Sequence, residues 1–349
     1  MKNIIIGVVV LAVIGGGVGF YIHQKQEAKK AAKAAGKKPV NPNALKVGLV
    51  TPGPSNDGGW SQNAYKAVVN LEKELGAVTF KSAKGGEDAH TSFRKYASEK
   101  KADVVIGHAS EYNDAKTAEI AAANPGTVFL ISGSDKSDKN VVGVRFVLED
   151  ATFVLGQLAA SMSKTNVLGC VGPEHLPVIE STFEAFVQGA KSVKPDIKVI
   201  VKWTEKSSDN ARGSEITKQL ISEGADFIFQ NANAAGQGVF EAVQQNKDKG
   251  VFALGSNDDQ ALTMTQFDDI ILASAALDIS GTYLGICKKI QDKSFEKKTQ
   301  FVGIAQGGVT VAPNKKLEAK IPTEVKKLID ETIEKLKKGE SLYTRKELK

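Results

Sequence analysis

The sequence predicts an α/β protein built from two doubly wound lobes. Three observations carry this reading. Short, nearly continuous apolar runs recur along the chain beyond residue 45, as in parallel strands buried on both faces. Segments with helical spacing of apolar residues separate those runs, the order expected of a sheet covered by helices. The pattern then restarts near residue 151, giving two successive sets of similar size.

In the first set, 45–50 reads as a strand that stops at the Pro- and Gly-containing stretch 51–54. Helical spacing follows over 64–75, a strand over 78–80 and a helix over 91–100. Strand 102–107 precedes helix 114–123, and 128–132 and 141–146 are further strands. In the second set, 151–163 is a helix whose Gly156 and small alanines permit close packing. Strand 167–171, helix 179–193, strand 197–203 and helix 214–223 come next. Strand 227–229, helix 236–246 and strand 251–255 continue the alternation. Residues 270–274 lead into helix 279–291, and 301–305 and 308–311 are strands. Pro322 opens a last helix to about residue 338, since proline suits a first helical turn. The expected division is a first lobe of 46–162 plus about 275–305, and a second of 163–274 plus about 306–349.

The formal net charge of +6 points at first to nucleic acid or an anionic surface. Its distribution removes that reading. Residues 1–45 hold seven lysines and one acid, Glu27, while the remainder holds 39 bases and 39 acids. No nucleic-acid partner is expected of a neutral body. Residues 4–22 are uncharged and about long enough to span a bilayer, and longer than the usual signal-peptide core. Residues 1–22 are read as an uncleaved signal anchor, with a cleaved signal peptide as the alternative, and 23–45 as a Lys-rich linker. The lysines after the span favour a cytoplasmic body under the positive-inside rule. Cys170 and Cys287 are read as buried free thiols, with a disulfide as the alternative.

Ligands of open α/β sheets bind beyond the carboxyl ends of the strands. The loops that follow the strands therefore supply the candidate site. Residues 56–65 join Asp57, two glycines, Trp60, Ser61 and Asn63 at a helix start. Trp60 offers a flat stacking surface and Asp57 an acceptor for ligand N–H or O–H groups. The competing reading makes Asp57 or Ser61 an N-cap and Trp60 a packing residue. His108 and Ser110 are polar groups at the end of another strand. Asn231 and Gly236 lie in a small-residue loop that opens a helix, where a ligand approaches backbone N–H groups. Asp258, in 255–260, suits vicinal hydroxyls, or else a solvated turn. No metal-ligand spacing, phosphate loop, dinucleotide fingerprint or nucleophile–base pattern is present in the sequence. Binding without chemistry and without a cofactor is the expected role.

The ordered set of loops resembles the basic membrane protein family of ABC-transporter substrate-binding proteins, many of them purine-nucleoside binders. The resemblance covers about residues 46–345. It is carried by 56–65, 124–129, 143–146 with 151–156, and 186–190, then 224–226, 236–239, 258–260, 321–325 and 338–340. It implies a two-lobed periplasmic-binding-protein fold of the first type whose cleft closes on a ligand. Carried over by position, Asp57 hydrogen-bonds the base, Trp60 stacks on it, Asp258 binds ribose hydroxyls and Gly236 lies against the ligand. The sequence departs from the family in having Ser61 after the aromatic, Ser207 in place of a second aromatic, and Leu277 where a lysine is expected. Trp203 is the candidate replacement for that second aromatic. The resemblance implies an extracytoplasmic binding protein serving an ABC permease; most of the family is secreted or lipid-anchored, whereas this chain is expected to be a monomer held to the membrane through its own span, 4–22. The alternative is a membrane-anchored sensor using the same cleft.

Overall fold

The computed structural model describes residues 44–56, 59–83 and 88–345. The anchor, nearly all of the linker, and Asp57 lie outside the described residues. Two six-stranded sheets organise the rest, with elements numbered here in chain order.

The first sheet has the order β11-β5-β4-β3-β1-β2. Its strands are β1 (Lys46–Thr51), β2 (Val78–Ala83), β3 (Val104–Gly107), β4 (Val128–Ser132), β5 (Val141–Phe146) and β11 (Gln300–Val302). All pairings in it are parallel. Strands β3, β4 and β5 are buried along their whole length, as their unbroken apolar runs require of strands covered on both faces. The helices of this part are α1 (Trp60–Leu75), α2 (Ala89–Arg94), which continues as a π-helical turn over Lys95–Glu99, and α3 (Ala115–Ala122).

The second sheet has the order β12-β10-β9-β8-β6-β7. It comprises β6 (Val167–Gly172), β7 (Lys198–Trp203), β8 (Phe227–Gln230), β9 (Phe252–Asn257), β10 (Ile271–Leu277) and β12 (Val309–Pro313). Only β12 runs antiparallel to its neighbour. Around the sheet lie α4 (Glu149–Met162), α5 (Pro177–Val193), α6 (Asn210–Ser222), α7 (Gly236–Gln245) and the short α8 (Gln260–Thr263). Two further helices are α9 (Ile279–Gln291) and α10 (Thr323–Lys337). Asp209 caps α6 by accepting from the Arg212 N–H at 2.9 Å, so that helix starts earlier than the apolar spacing alone predicts.

The chain passes between the sheets after Phe146, after Leu277 and after Val302. Helix α4 does not pack with the strands that precede it. Leu155, Leu158 and Ala159 join Phe186, Phe229 and Leu254 in the core of the second sheet. The first crossing thus falls before this helix, not at residue 162. The cause is its pairing with α5 through two glycines. A Cβ on Gly156 would lie 2.1 Å from the Phe186 carbonyl oxygen, and one on Gly189 would lie 1.9 Å from that of Phe153. Only glycine at both points allows the backbones to meet so closely. Conversely, Ile279, Tyr283, Ile286 and Cys287 of α9 join Leu49, Val68 and Ile106 in the core of the first sheet.

Cys170 and Cys287 are both buried free thiols. Among the described residues, no helix is long and apolar enough to cross a membrane.

Candidate ligand-binding site

The carboxyl ends of the strands hold two polar clusters, one on each sheet. The first is built around Trp60, which opens α1 after the β1 loop. Its indole is partly buried and lies on the His108 imidazole, with ring centroids 3.8 Å apart and planes at 21°. The two residues exchange hydrogen bonds. Trp60 Nε1–H donates to the His108 carbonyl at 2.8 Å, and His108 Nε2 sits 3.1 Å from the Trp60 carbonyl. A carbonyl only accepts, so Nε2 carries the proton and Nδ1 is an acceptor. Tyr283 O–H donates to Nδ1 at 2.6 Å, and the Tyr283 oxygen accepts from Ser132 Oγ–H at 2.5 Å. His108 has no exposed surface. Burial pulls its pKa down from 6.5 to about 3, against the pull of the Trp60 carbonyl. A neutral imidazole is the state this bonding pattern needs. Burial pushes the Tyr283 hydroxyl up, so it keeps its proton. Phe146 meets the indole edge-on at 6.2 Å.

This geometry corrects two sequence expectations. His108 does not line the crevice; it backs Trp60, and both ring nitrogens are used inside the protein. Ser61 does not cap α1, whose N-cap is Gly59. Ser61 is 1% exposed, and its Oγ accepts from the Gly53 N–H at 3.1 Å, holding the β1 loop. Asn63 is partly buried in the first turn of α1, and Ser110 is exposed in a 3-10 turn beyond β3.

The second cluster joins the ends of β8 and β9. Asn231 is 2% exposed. Its amide donates to Thr182 Oγ1 at 3.3 Å and accepts from Asn257 Nδ2 at 3.1 Å. Asn257 holds φ at 66°, a left-handed conformation that asparagine tolerates better than most residues. Gln230 Nε2 donates to Gln260 Oε1 at 2.6 Å, and that oxygen also accepts from the Ser256 N–H at 2.9 Å. Gly236 is explained by this network: a Cβ there would sit 2.2 Å from Gln230 Oε1. Its smallness serves a protein contact in the first place. Asp258 is partly buried at the strand end, and its Oδ1 accepts from the Asp259 N–H at 2.9 Å. Beside it, Asp259 has a buried Oδ1 with no protein partner. Burial, with repulsion from Asp258, raises the Asp259 carboxyl above the usual range.

Trp203 lies apart from both clusters. It ends β7, at the edge of the second sheet, and packs against His175 at 4.2 Å and Phe183 at 5.3 Å. These rings line a groove of about 470 Å³ along α5 with Glu180, Glu184 and Val187. The groove contains none of the other sequence-predicted site residues. Where the chain first crosses between sheets, Arg145 and Glu149 form a buried ion pair. Ser181 of α5 donates to Glu149 Oε1 at 2.6 Å. Sequence reading missed this pair, and also Ser132, Tyr283, Gln230 and Gln260. Among the described residues, no group of three or more His, Cys, Asp or Glu is placed to hold a metal ion.

Comparison with known proteins adds identity to this geometry. Residues 44–346 match the profile of the Bmp family, described as ABC transporter substrate-binding protein, PnrA-like. A purine-binding protein of Brucella abortus is 29% identical over 301 residues, covering 85% of this chain and 82% of that protein. The ABC transporter nucleoside-binding protein BmpA of Lactococcus lactis is 29% identical over 285 residues, covering 76% and 80%. Among solved structures, a solute-binding protein of an ABC transporter system from Conexibacter woesei superposes with a TM-score of 0.70 at 22% identity. That match covers 86% of this chain and 99% of the other, and places the chain in the two-lobed periplasmic-binding-protein-like fold.

Proposed function

Because the chain belongs to the PnrA-like (Bmp) family of ABC transporter substrate-binding proteins, we propose that it captures a purine nucleoside between its two lobes. It is an extracytoplasmic solute-binding protein of the importer type and not an enzyme, and its partners are a small molecule and a cognate permease. The ligand class is our reading. Its support is the function of two relatives, one a purine-binding and one a nucleoside-binding protein, together with the Trp60 ring.

The observation that carries the reading is the clasped indole. Stacking on a purine needs a flat ring held still with part of its surface open. Trp60 is fixed by reciprocal hydrogen bonds to His108 and is only partly buried. In this reading the base stacks on Trp60 and bonds to Asp57, with Asn63 and Ser110 at the rim. Asp258 takes the ribose hydroxyls, and Asn231 and Gly236 form the wall behind them. Trp203 takes no part, because its ring belongs to the separate groove beside α5. Binding draws the lobes together about the three crossings, the motion of a periplasmic-binding-protein fold of the first type. We place residues 46–147 with about 278–305 in the first lobe, and the remainder to 349 in the second. Residues 4–22 anchor the monomer, with the lobes outside.

A ligand that binds only the folded state raises the thermal midpoint. Purine nucleosides added to the full chain are expected to do so, and sugars or free amino acids are not. No shift with any nucleoside at millimolar concentration would remove the ligand assignment.

A further inference from the structure

The cluster beneath Trp60 is more elaborate than packing requires. A buried indole ordinarily needs one acceptor for its N–H, with apolar neighbours around the ring. Here three polar side chains from three other elements are buried behind it instead: His108 just beyond β3, Ser132 of β4 and Tyr283 of α9. The bonds run in one direction. Ser132 donates to Tyr283, Tyr283 to His108 Nδ1, and His108 Nε2–H to the Trp60 carbonyl. Each link fixes the next, because a donated proton at one imidazole nitrogen dictates acceptance at the other. Buried polar chains of this kind are costly when half-satisfied and rigid when complete. The indole N–H closes the clasp on the His108 carbonyl. The imidazole cannot turn without losing two bonds, and the indole stacked on it cannot turn without losing its own.

We propose that Ser132, Tyr283 and His108 form a positioning relay that sets the orientation of the Trp60 ring and thereby the affinity for a stacked ligand. None of the three touches the ligand in this scheme. The relay rests on the reading that Trp60 stacks on the base. Tyr283 is the informative member. It belongs to α9, which follows the crossing out of the second sheet, and its ring is fully buried in the first core. Removing its hydroxyl keeps the ring's packing and breaks the link, leaving His108 Nδ1 and Ser132 Oγ without that partner. A ring that must be ordered on binding costs affinity, by about 3- to 10-fold for one immobilised side chain.

The test uses the full chain carrying Trp203→Phe, which leaves Trp60 as its single tryptophan. Without ligand, fluorescence anisotropy and near-ultraviolet circular dichroism of Trp60 are compared between this parent and its Tyr283→Phe derivative. The expected result is faster indole motion and a weaker dichroism band in Tyr283→Phe, with cooperative folding kept and the thermal midpoint lowered by a few degrees, because buried His108 Nδ1 and Ser132 Oγ lose a partner. Nucleoside titration is then expected to show affinity about 3- to 10-fold weaker. In a Trp60→Ala background, Tyr283→Phe should add no further loss, the signature of two residues acting through one contact. His108→Gln, which keeps a donor for the Trp60 carbonyl, should hold the indole better than His108→Ala. An unchanged indole signal in Tyr283→Phe, or an equal affinity loss with and without Trp60, overturns the relay. If the parent binds no nucleoside while Tyr283→Phe still frees the indole, the relay stands and the ligand reading falls.

Discussion

Two tryptophans of this molecule, one opening a helix and one ending a strand, are held in opposite ways. Trp60 follows β1, an interior strand of the first sheet, and Trp203 ends β7, an edge strand of the second. Each lies against a histidine, at 3.8 Å and 4.2 Å between ring centroids. The histidines differ most. His108 is wholly buried, neutral, and spends both nitrogens on fixed partners. The His175 side chain is 56% exposed, with Glu180 at 3.2 Å and Glu205 at 4.0 Å. What lies behind an aromatic ring decides whether it is a fixed platform or one wall of a solvent groove. The strand's place in the sheet decides what lies behind.

Several substitutions would break or sharpen this contrast. The largest effect concerns acid stability. His108 has a depressed folded pKa, so its contribution is complete above about 6.5 and is lost as pH falls toward 3. Across that interval the unfolded state alone takes up the proton, a slope of about 1.4 kcal/mol per pH unit. Urea unfolding at a series of pH values should show this extra slope in the parent and not in His108→Gln. Parallel slopes would mean that His108 titrates as an ordinary histidine.

Next in size is the ligand. Trp60→Ala should cost about 1–3 kcal/mol of nucleoside binding, typical of a lost stacking platform. Trp203→Ala should leave affinity within about twofold, well under one tenfold step. Calorimetric titration of both variants checks the contrast directly, and equal losses would erase it.

Stability at the second ring comes third. A Cβ on Gly172 would meet Trp203 Cζ3 at 2.4 Å and Phe183 Cε2 at 2.8 Å. Gly172→Ala should therefore destabilise by about 1–3 kcal/mol through overpacking, without changing nucleoside affinity. The smallest effect is at Asp278, which caps α9 by accepting from the Gly281 N–H at 2.7 Å. Asp278→Ala should cost about 1 kcal/mol, read as a lower urea midpoint.

The fold was largely legible because burial on both faces leaves unbroken apolar runs, as in β4 and β5. The site was legible only in part. Composition marks the loop after β1 as a candidate and its place after β9 marks Asp258, and their part in binding is our proposal. His108 looked like a lining residue because one polar side chain at a strand end carries no mark of its burial. The residue that buries it, Tyr283, is 175 positions away, and no local period links the two. Gly236 looked like room for a ligand, and Gly238 follows it in the same helix start. The structure uses them against Gln230 and against the Asn210 carbonyl, where a Cβ would come within 2.2 Å and 1.8 Å. A glycine signals a close approach but not the identity of what approaches.

The central claim is that Trp60, and not Trp203, faces the ligand. A crystal structure of the protein saturated with a purine nucleoside tests it most directly. The account expects the base on the face of Trp60 opposite His108, with the ribose hydroxyls at Asp258. A nucleoside seated in the groove beside Trp203 and His175, with the Trp60 ring untouched, would contradict it.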